Sequence, residues 1–344
     1  MPVCLSNEMR NIKIYDPEYI RSMVLRAYGE RIDISGKIAR STKVVRARSI
    51  YLAKIDKVFS LLADLVGKCA RLPRSSSMHP FYAEIALIAS EKMYDNLIDK
   101  CRRVIHIVTN LYRDYRRRIV ESEDPVEIEA LSREYVGRAL STVRRGLRSI
   151  ELLRKAIEEV SRSPCISEEA INIVVCGMPQ VGKSTLVSRI SSAKPETSPF
   201  PFTTKRVIMG HLDIGGRRIA IIDTPGILDR PLEDMNEIEM KAVAAIKNLA
   251  DLALFLIDPR KGAYYSLAEQ LRVLRSVTSL LGMEKVDVLI NKVDAASKEE
   301  VEEVLEILKS NGYEKIYLIS VLTGYGLDLL LKELANVKTE KPKL

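Results

Sequence analysis

The chain has 344 residues, 47% of them apolar and 29% charged, which are the proportions of a globular protein long enough for two separate cores. No run approaches the roughly 18 apolar residues of a membrane span, and residues 1–13 lack the apolar segment of a secretory leader, so a cytoplasmic protein without a membrane partner is expected. The net charge of +8 is uneven: residues 1–165 hold 31 Lys and Arg against 21 Asp and Glu, and the remainder is slightly acidic, which favours a polyanionic partner for the first half.

That first half carries helical periodicity and almost no strand signal. Ile50, Leu52, Ile55, Val58, Leu61, Leu62 and Leu65 recur at helical spacing within residues 47–69. Residues 72–77 break the pattern, and a second helical stretch covers 80–120 with an interruption near Ser90. Asp124 then reads as an N-cap, with Pro125 at the first helical position. The apolar stripe from Ile128 to Val160 predicts one continuous helix of roughly 50 Å, at about 1.5 Å per residue, with Gly137 and Gly146 tolerated inside it. Long helices joined by short loops predict an antiparallel bundle. Arg113, Arg116, Arg117, Arg118, Arg138, Arg144, Arg145 and Arg148 fall on these helices, although phasing alone does not make them converge.

Residues 161–168 (SRSPCISE) form the expected joint. It separates a basic helical domain, 1–165, from a second domain, 166–337, with 338–344 as a short tail. After it, apolar strands at 171–176, 207–212, 218–222, 252–257, 286–290 and 316–319 alternate with helical patterns at 184–190, 236–249, 264–280, 298–311 and 326–335. This alternation predicts an α/β domain with a mainly parallel sheet, helices on both faces and a ligand at the carboxyl ends of the strands. Gly215-Gly216 between two strands predicts a hairpin that supplies an antiparallel edge. Five cysteines without a CxxC pair, and three scattered histidines, argue against a disulfide framework or a zinc site. Reduced thiols are expected, with Cys176 packing as a small apolar residue.

Three strings sit at the ends of such strands: GMPQVGKST at 177–185, DTPG at 223–226 and NKVD at 291–294. The first lies between a strand and a helix, the setting a phosphate-binding loop requires. Gly177, Pro179, Gln180, Val181, Gly182 and Thr185 are expected to wrap a phosphate chain, with amide N–H groups and a helix N-terminus facing it. Lys183 is expected at the β- and γ-phosphates, and Ser184 at Mg2+. Asp294 can accept two hydrogen bonds from N1–H and the exocyclic amine of guanine, whereas adenine would leave its carboxylate unpaired, a discrimination of roughly 10⁴–10⁵. Asn291 would brace the loop, Lys292 would lie along the base, and the backbone of Ser320, Val321 and Leu322 would face guanine O6. GTP and GDP are the implied ligands, and a Ras-like P-loop GTPase domain is the implied fold.

The segment SPFPFTTKRV, 198–207, would close over the nucleotide. Thr204, preferred to Thr203, would place its hydroxyl on Mg2+ and its backbone on the γ-phosphate, ordering the loop only with GTP. Asp223 would support the metal, and the Gly226 N–H would bind the γ-phosphate. Lys183, Thr204 and Gly226 are thus the candidate catalytic groups. Ile227 follows Gly226 where many such switches have a water-orienting glutamine, so slow hydrolysis is expected. An activating partner supplying an arginine, or a monovalent cation, would then complete the site.

PFTTK at 201–205, GHLD at 210–213, DTPGILDRPLEDMNEIEMKA at 223–242 and HPFYAEI at 79–85 together resemble the nucleolar G-protein (Nog) family, within the Obg-related GTPases. The likeness runs over both halves and implies a helical domain, residues 1–165, that docks on rRNA of the large ribosomal subunit or its precursor. The GTPase domain would then time assembly or release. Gln180 departs from the family's usual Asn, which weakens the case for a potassium ion. The chain ends soon after Leu334, as expected of a compact archaeal-type member acting as a monomer. The alternative is a switch whose helical domain binds a protein. A tRNA-modifying GTPase is disfavoured, because no cysteine follows Cys176.

Overall fold

A computed structural model describes residues 4–33, 36–167, 169–192 and 194–337. The expected tail, 338–344, lies outside the described residues. Two compact units form. One gathers Met9–Met78 and Ala86–Glu158; the other gathers the chain from Glu159 onward with His79–Ile85 and the segment ending at Glu8.

The first part of the chain is all helical: α1 (Leu5–Arg10), α2 (Pro17–Gly29), α3 (Gly36–Ala39), α4 (Lys43–Ala70), α5 (Pro80–Ala89), α6 (Tyr94–Glu121), α7 (Pro125–Gly146) and α8 (Ile150–Arg162). Side-chain caps set several starts. Asp16 accepts from the Tyr19 N–H ahead of Pro17, Thr42 from Val45, and Asp124 from Val126 with Pro125 at the first position. Helices α2, α4, α6 and α7 pack on one another around Ile55, Val58, Leu62, Val104, Tyr115, Tyr135 and Ala139, all buried. Polar bonds fix the packing at the rim: Tyr112 donates to Asp56 at 2.8 Å while its ring stacks on Phe59.

The single helix expected from 125 to 160 is two. Helix α7 stops at Gly146, Leu147 caps it by donating to the Val143 carbonyl, and α8 starts at Ile150. Gly146 has a packing reason, since a Cβ there would lie 2.1 Å from Val104 Cγ2 of α6. The apolar stripe continues through the break, which is why periodicity alone hid it.

From Glu159 onward the chain builds a seven-stranded sheet. Its elements are β1 (Ile171–Cys176), α9 (Lys183–Ile190), β2 (Glu196–Pro199), β3 (Arg206–Ile214), β4 (Arg217–Asp223), α10 (Glu237–Leu249), β5 (Leu252–Ile257), α11 (Leu267–Leu281), β6 (Val286–Ile290), α12 (Lys298–Ser310), β7 (Ile316–Leu318) and α13 (Leu327–Ala335). The strand order is β2-β3-β4-β1-β5-β6-β7. β1 runs parallel to both β4 and β5, and β5, β6 and β7 continue the parallel part. Every residue of β1, β5 and β6 is buried, so both faces of the sheet are covered there. β3 and β4 form the expected antiparallel hairpin through Gly215 and Gly216, both at positive φ. The short strand β2, which pairs antiparallel with β3, was not legible in the sequence. Capping boxes at Asn236/Glu239, Ser266/Glu269 and Ser297/Glu300 start α10, α11 and α12; the second moves the start of α11 from 264 to Leu267.

Segments from the first half complete this unit. Tyr82 donates to the Pro164 carbonyl and accepts from the Ile166 N–H, both at 2.8 Å. Phe81, fully buried, packs its ring on Phe200 with centroids 5.9 Å apart, and the Glu159 carboxylate accepts from the Phe202 N–H at 3.3 Å. Cys4 and Cys165 are joined as a disulfide, which corrects the expectation of five reduced thiols. Their separation of 161 residues is outside the reach of any spacing argument. Cys69, Cys101 and Cys176 are buried free thiols. No described helix is long and apolar enough to cross a membrane.

Candidate functional site

The carboxyl ends of β1, β4, β5 and β6 converge on one loop cluster, around the strand β1 at which the chain turns to opposite sides of the sheet. The loop from Gly177 to Gly182 holds Gly177, Gln180 and Gly182 at positive φ, so the backbone curls back on itself ahead of α9. Lys183 starts that helix with its ammonium folded inward, donating to the carbonyls of Gly177 and Met178 at 2.8 Å each. It is 8% exposed. Burial pushes its pKa down against the opposing charge of Asp223, a setting that makes an anionic phosphate its natural partner.

Asn291 locks the third string to the first. Its Nδ2 donates to the Val181 carbonyl at 2.8 Å, its Oδ1 accepts from the Val321 N–H at 3.0 Å, and its own N–H donates to the Ile257 carbonyl. Gly182 has to be bare for this, because a Cβ there would lie 2.5 Å from Asn291 Nδ2. Lys292, at positive φ, donates to the Gln180 carbonyl at 2.7 Å and to Asp258 at 2.9 Å.

Asp223 ends β4 fully buried. Ser184 donates to its Oδ2, and its Oδ1 has no hydrogen-bond partner. Burial raises the Asp223 pKa, opposed by the Ser184 bond and the Lys183 charge. A buried carboxylate oxygen without a partner, beside a serine hydroxyl at the mouth of the loop that precedes α9, fits a hard divalent cation with oxygen ligands such as Mg2+.

A sequence model described as "NOG1 N-terminal helical domain" matches residues 16–166, and one described as "50S ribosome-binding GTPase" matches residues 172–280. The chain belongs to the NOG1 family of GTPases. Among its relatives, Nucleolar GTP-binding protein 1 of Caenorhabditis elegans is 33% identical over 75% of this chain and 38% of that protein. The proteins of the same name from Encephalitozoon cuniculi and Saccharomyces cerevisiae are each 28% identical, over 88% and 76% of this chain and 59% and 41% of theirs. This NOG1-family chain therefore spans about two fifths to three fifths of the length of these relatives.

Not every expected residue is drawn into the cluster. Thr204 is exposed and bonds neither Ser184 nor Asp223, while the Thr203 hydroxyl accepts from the Lys205 N–H at 3.1 Å. Asp294 is exposed at the rim, beside Arg260. Of the three backbone N–H groups expected at guanine O6, that of Ser320 donates to Tyr325 and that of Val321 to Asn291. Leu322 keeps the one N–H of the three without a bond among the described residues. Thr185 is exposed in the first turn of α9, and Pro179 and Gln180 lie in the loop before it, Gln180 exposed. Ile227 is 4% exposed and turned into the core, as an apolar residue at that position would be.

A second layer of residues was not legible in the sequence. Asp258, at the end of β5, is 4% exposed and holds Arg260 through two bonds of 2.9 and 2.8 Å as well as Lys292. Gln270 of α11 brackets its backbone, donating to the Asp258 carbonyl and accepting from its N–H. Burial raises the Asp258 pKa, but the bonds from Arg260 and Lys292 outweigh it and hold the carboxyl below its ordinary value. An aspartate directly after a six-residue apolar strand was the available signal.

Proposed function

We propose that this chain binds GTP with Mg2+ and hydrolyses it slowly, as a monomeric cytoplasmic switch in assembly of the large ribosomal subunit. In this reading residues 1–165 dock on rRNA, and residues 166–337 carry the nucleotide. The observation that carries it is the union, in one chain, of the loop cluster joined by Asn291, Lys292, Ser184 and Asp223 with a basic part matching the NOG1 helical domain.

The loop at 177–185 would hold the phosphates through its N–H groups, with Lys183 exchanging its two carbonyl partners for β- and γ-phosphate oxygens. Ser184 and the unpartnered oxygen of Asp223 would hold Mg2+, with Thr204 arriving when its loop closes. When bound, the metal neutralises charge on the β- and γ-phosphates. Asp294 and Lys292 would read and cover the guanine, and Leu322 would donate to O6. The Gly226 N–H would sense the γ-phosphate, so that hydrolysis releases both loops. With Ile227 buried, no side chain at that position orients the attacking water, and turnover is slow.

A second reading has its own support. Arg116, Arg117 and Arg138 pair with Asp56, Asp114 and Glu134, which leaves less free charge for phosphates than the sequence count suggests. Arg113, Arg144, Arg145 and Arg148 are exposed and make no ion pair among the described residues. A helical part that binds a protein would use the same surface. Co-sedimentation of the full chain with isolated large subunits separates the two, using a non-hydrolysable GTP analogue, GDP or no nucleotide across a salt series. Nucleotide-dependent binding that falls steeply as log K against log[salt] supports rRNA docking. Absence of binding in every state overturns it.

A further inference from the structure

Lys205 is the last residue of the PFTTK string, in the loop ahead of β3, and its side chain reaches across to the third residue after Asp223. Its ammonium donates to the Gly226 carbonyl. The stem lies over the bare α-carbon of that glycine: a Cβ on Gly226 would sit 2.6 Å from Nζ, 2.8 Å from Cδ and 2.9 Å from Cε of Lys205. The positive φ of Gly226 favours glycine there, and its bare α-carbon leaves room for the lysine stem. The opposing charge nearby, Glu239, is already engaged. Arg230 bonds one of its oxygens and the Asn236 N–H the other. Among the described residues Lys205 therefore has a carbonyl partner and no carboxylate bonded to it.

We propose that Lys205 is a catalytic residue that presents its ammonium to the γ-phosphate of GTP during hydrolysis. The inference rests on the reading of Gly226 as the γ-phosphate sensor. In the reaction a water oxygen forms a bond to the γ-phosphorus. The β–γ bridging oxygen departs on GDP with the bonding pair, and the proton lost by the water passes to the released phosphate. Negative charge is spread over the γ-phosphoryl oxygens in the transition state. A fixed cation there lowers the barrier without reorganisation, and removing one such donor typically costs about 10²–10³ in rate. Ile227, directly after Gly226, is buried and apolar, so its side chain offers no polar group to the step. Lys205 supplies the charge from within the chain, by exchanging the Gly226 carbonyl for a γ-phosphate oxygen next to that residue's N–H.

The test is single-turnover hydrolysis by the full chain and by Lys205→Ala and Lys205→Arg. Equilibrium binding of GDP and of GDP with aluminium fluoride is measured alongside. Lys205→Ala should lose about 10² or more in rate, keep its GDP affinity within about threefold, and fail to form the aluminium fluoride complex that the native chain forms. Lys205→Arg, which keeps a cation, should retain most of the rate, and added primary alkylammonium should partly restore Lys205→Ala. A rate in Lys205→Ala within about threefold of native overturns the proposal, as does a parallel loss of rate and GDP affinity. If the native chain itself fails to bind GTP, the site reading falls and this inference with it.

Discussion

Asn291→Ala gives the sharpest test of how the nucleotide cluster is held together. The side chain is 2% exposed and closes two bonds, one to the Val181 carbonyl and one from the Val321 N–H. Alanine removes both and strands the carbonyl of Val181 and the N–H of Val321, residues that are themselves 2% and 3% exposed. Each buried polar group left without a partner costs about 1–3 kcal/mol, so the expected loss is about 2–6 kcal/mol. A water drawn into the vacated space would bring the value to the lower end. At about 2–4 °C per kcal/mol, the melting temperature should fall by about 4–24 °C. The measurement belongs on the nucleotide-free chain, by thermal and urea unfolding, because contact with a base is then absent. Asp294→Ala serves as the control: exposed at the rim, it should stay within about 0.5 kcal/mol of native. An Asn291→Ala protein as stable as that control would refute the brace and leave Asn291 with a role toward the base alone.

Asp294→Asn should move preference from GTP toward xanthosine triphosphate in competition binding, and unchanged GTP selectivity would remove Asp294 as the reader of guanine. Asp258→Asn should destabilise the chain near neutral pH, since it takes the charge from the partner of Arg260 and Lys292. The folded pKa of Asp258 lies below its unfolded value of about 3.9, so the stabilisation is present above that pH and is lost as the pH falls through the folded value. Unfolding curves of native and Asp258→Asn chains should therefore converge in acid, and a gap that is independent of pH would contradict the assignment. Gly146→Ala should cost about 1–3 kcal/mol by overpacking Val104. Val104→Ala in the same chain should recover part of that loss, which a double-mutant cycle reads directly.

Much of the architecture was legible because the signals were local. The strand before Gly177, the helix after Lys183 and the glycine pair at 215–216 each announce themselves within a few residues, and the loop cluster follows once the strands are parallel. What sequence did not reveal depends on residues distant in the chain. Gly146 has to be bare because of Val104, some forty positions earlier, and nothing in the stripe from Ile128 to Val160 marks it. Asp258 reads as an ordinary strand end until Arg260, Gln270 and Lys292 are seen around it. The same holds for the Val321 N–H, which looked free for a base and is bonded to Asn291. The Cys4–Cys165 bond likewise depends on the fold bringing the two residues together.

Phe81 and Tyr82 belong to the first quarter of the sequence, yet they build the unit that carries the nucleotide loops, beneath Phe200 and around Pro164 and Ile166. A gene cut at residue 165 would remove an aromatic partner from the loop that precedes Lys205. It would also leave two apolar rings exposed on the discarded piece. Recombination between relatives that exchanged one half alone would have to reproduce this seam by chance. A boundary at residue 165 thus cuts through the unit that carries the loops at 177–185, 223–226 and 291–294.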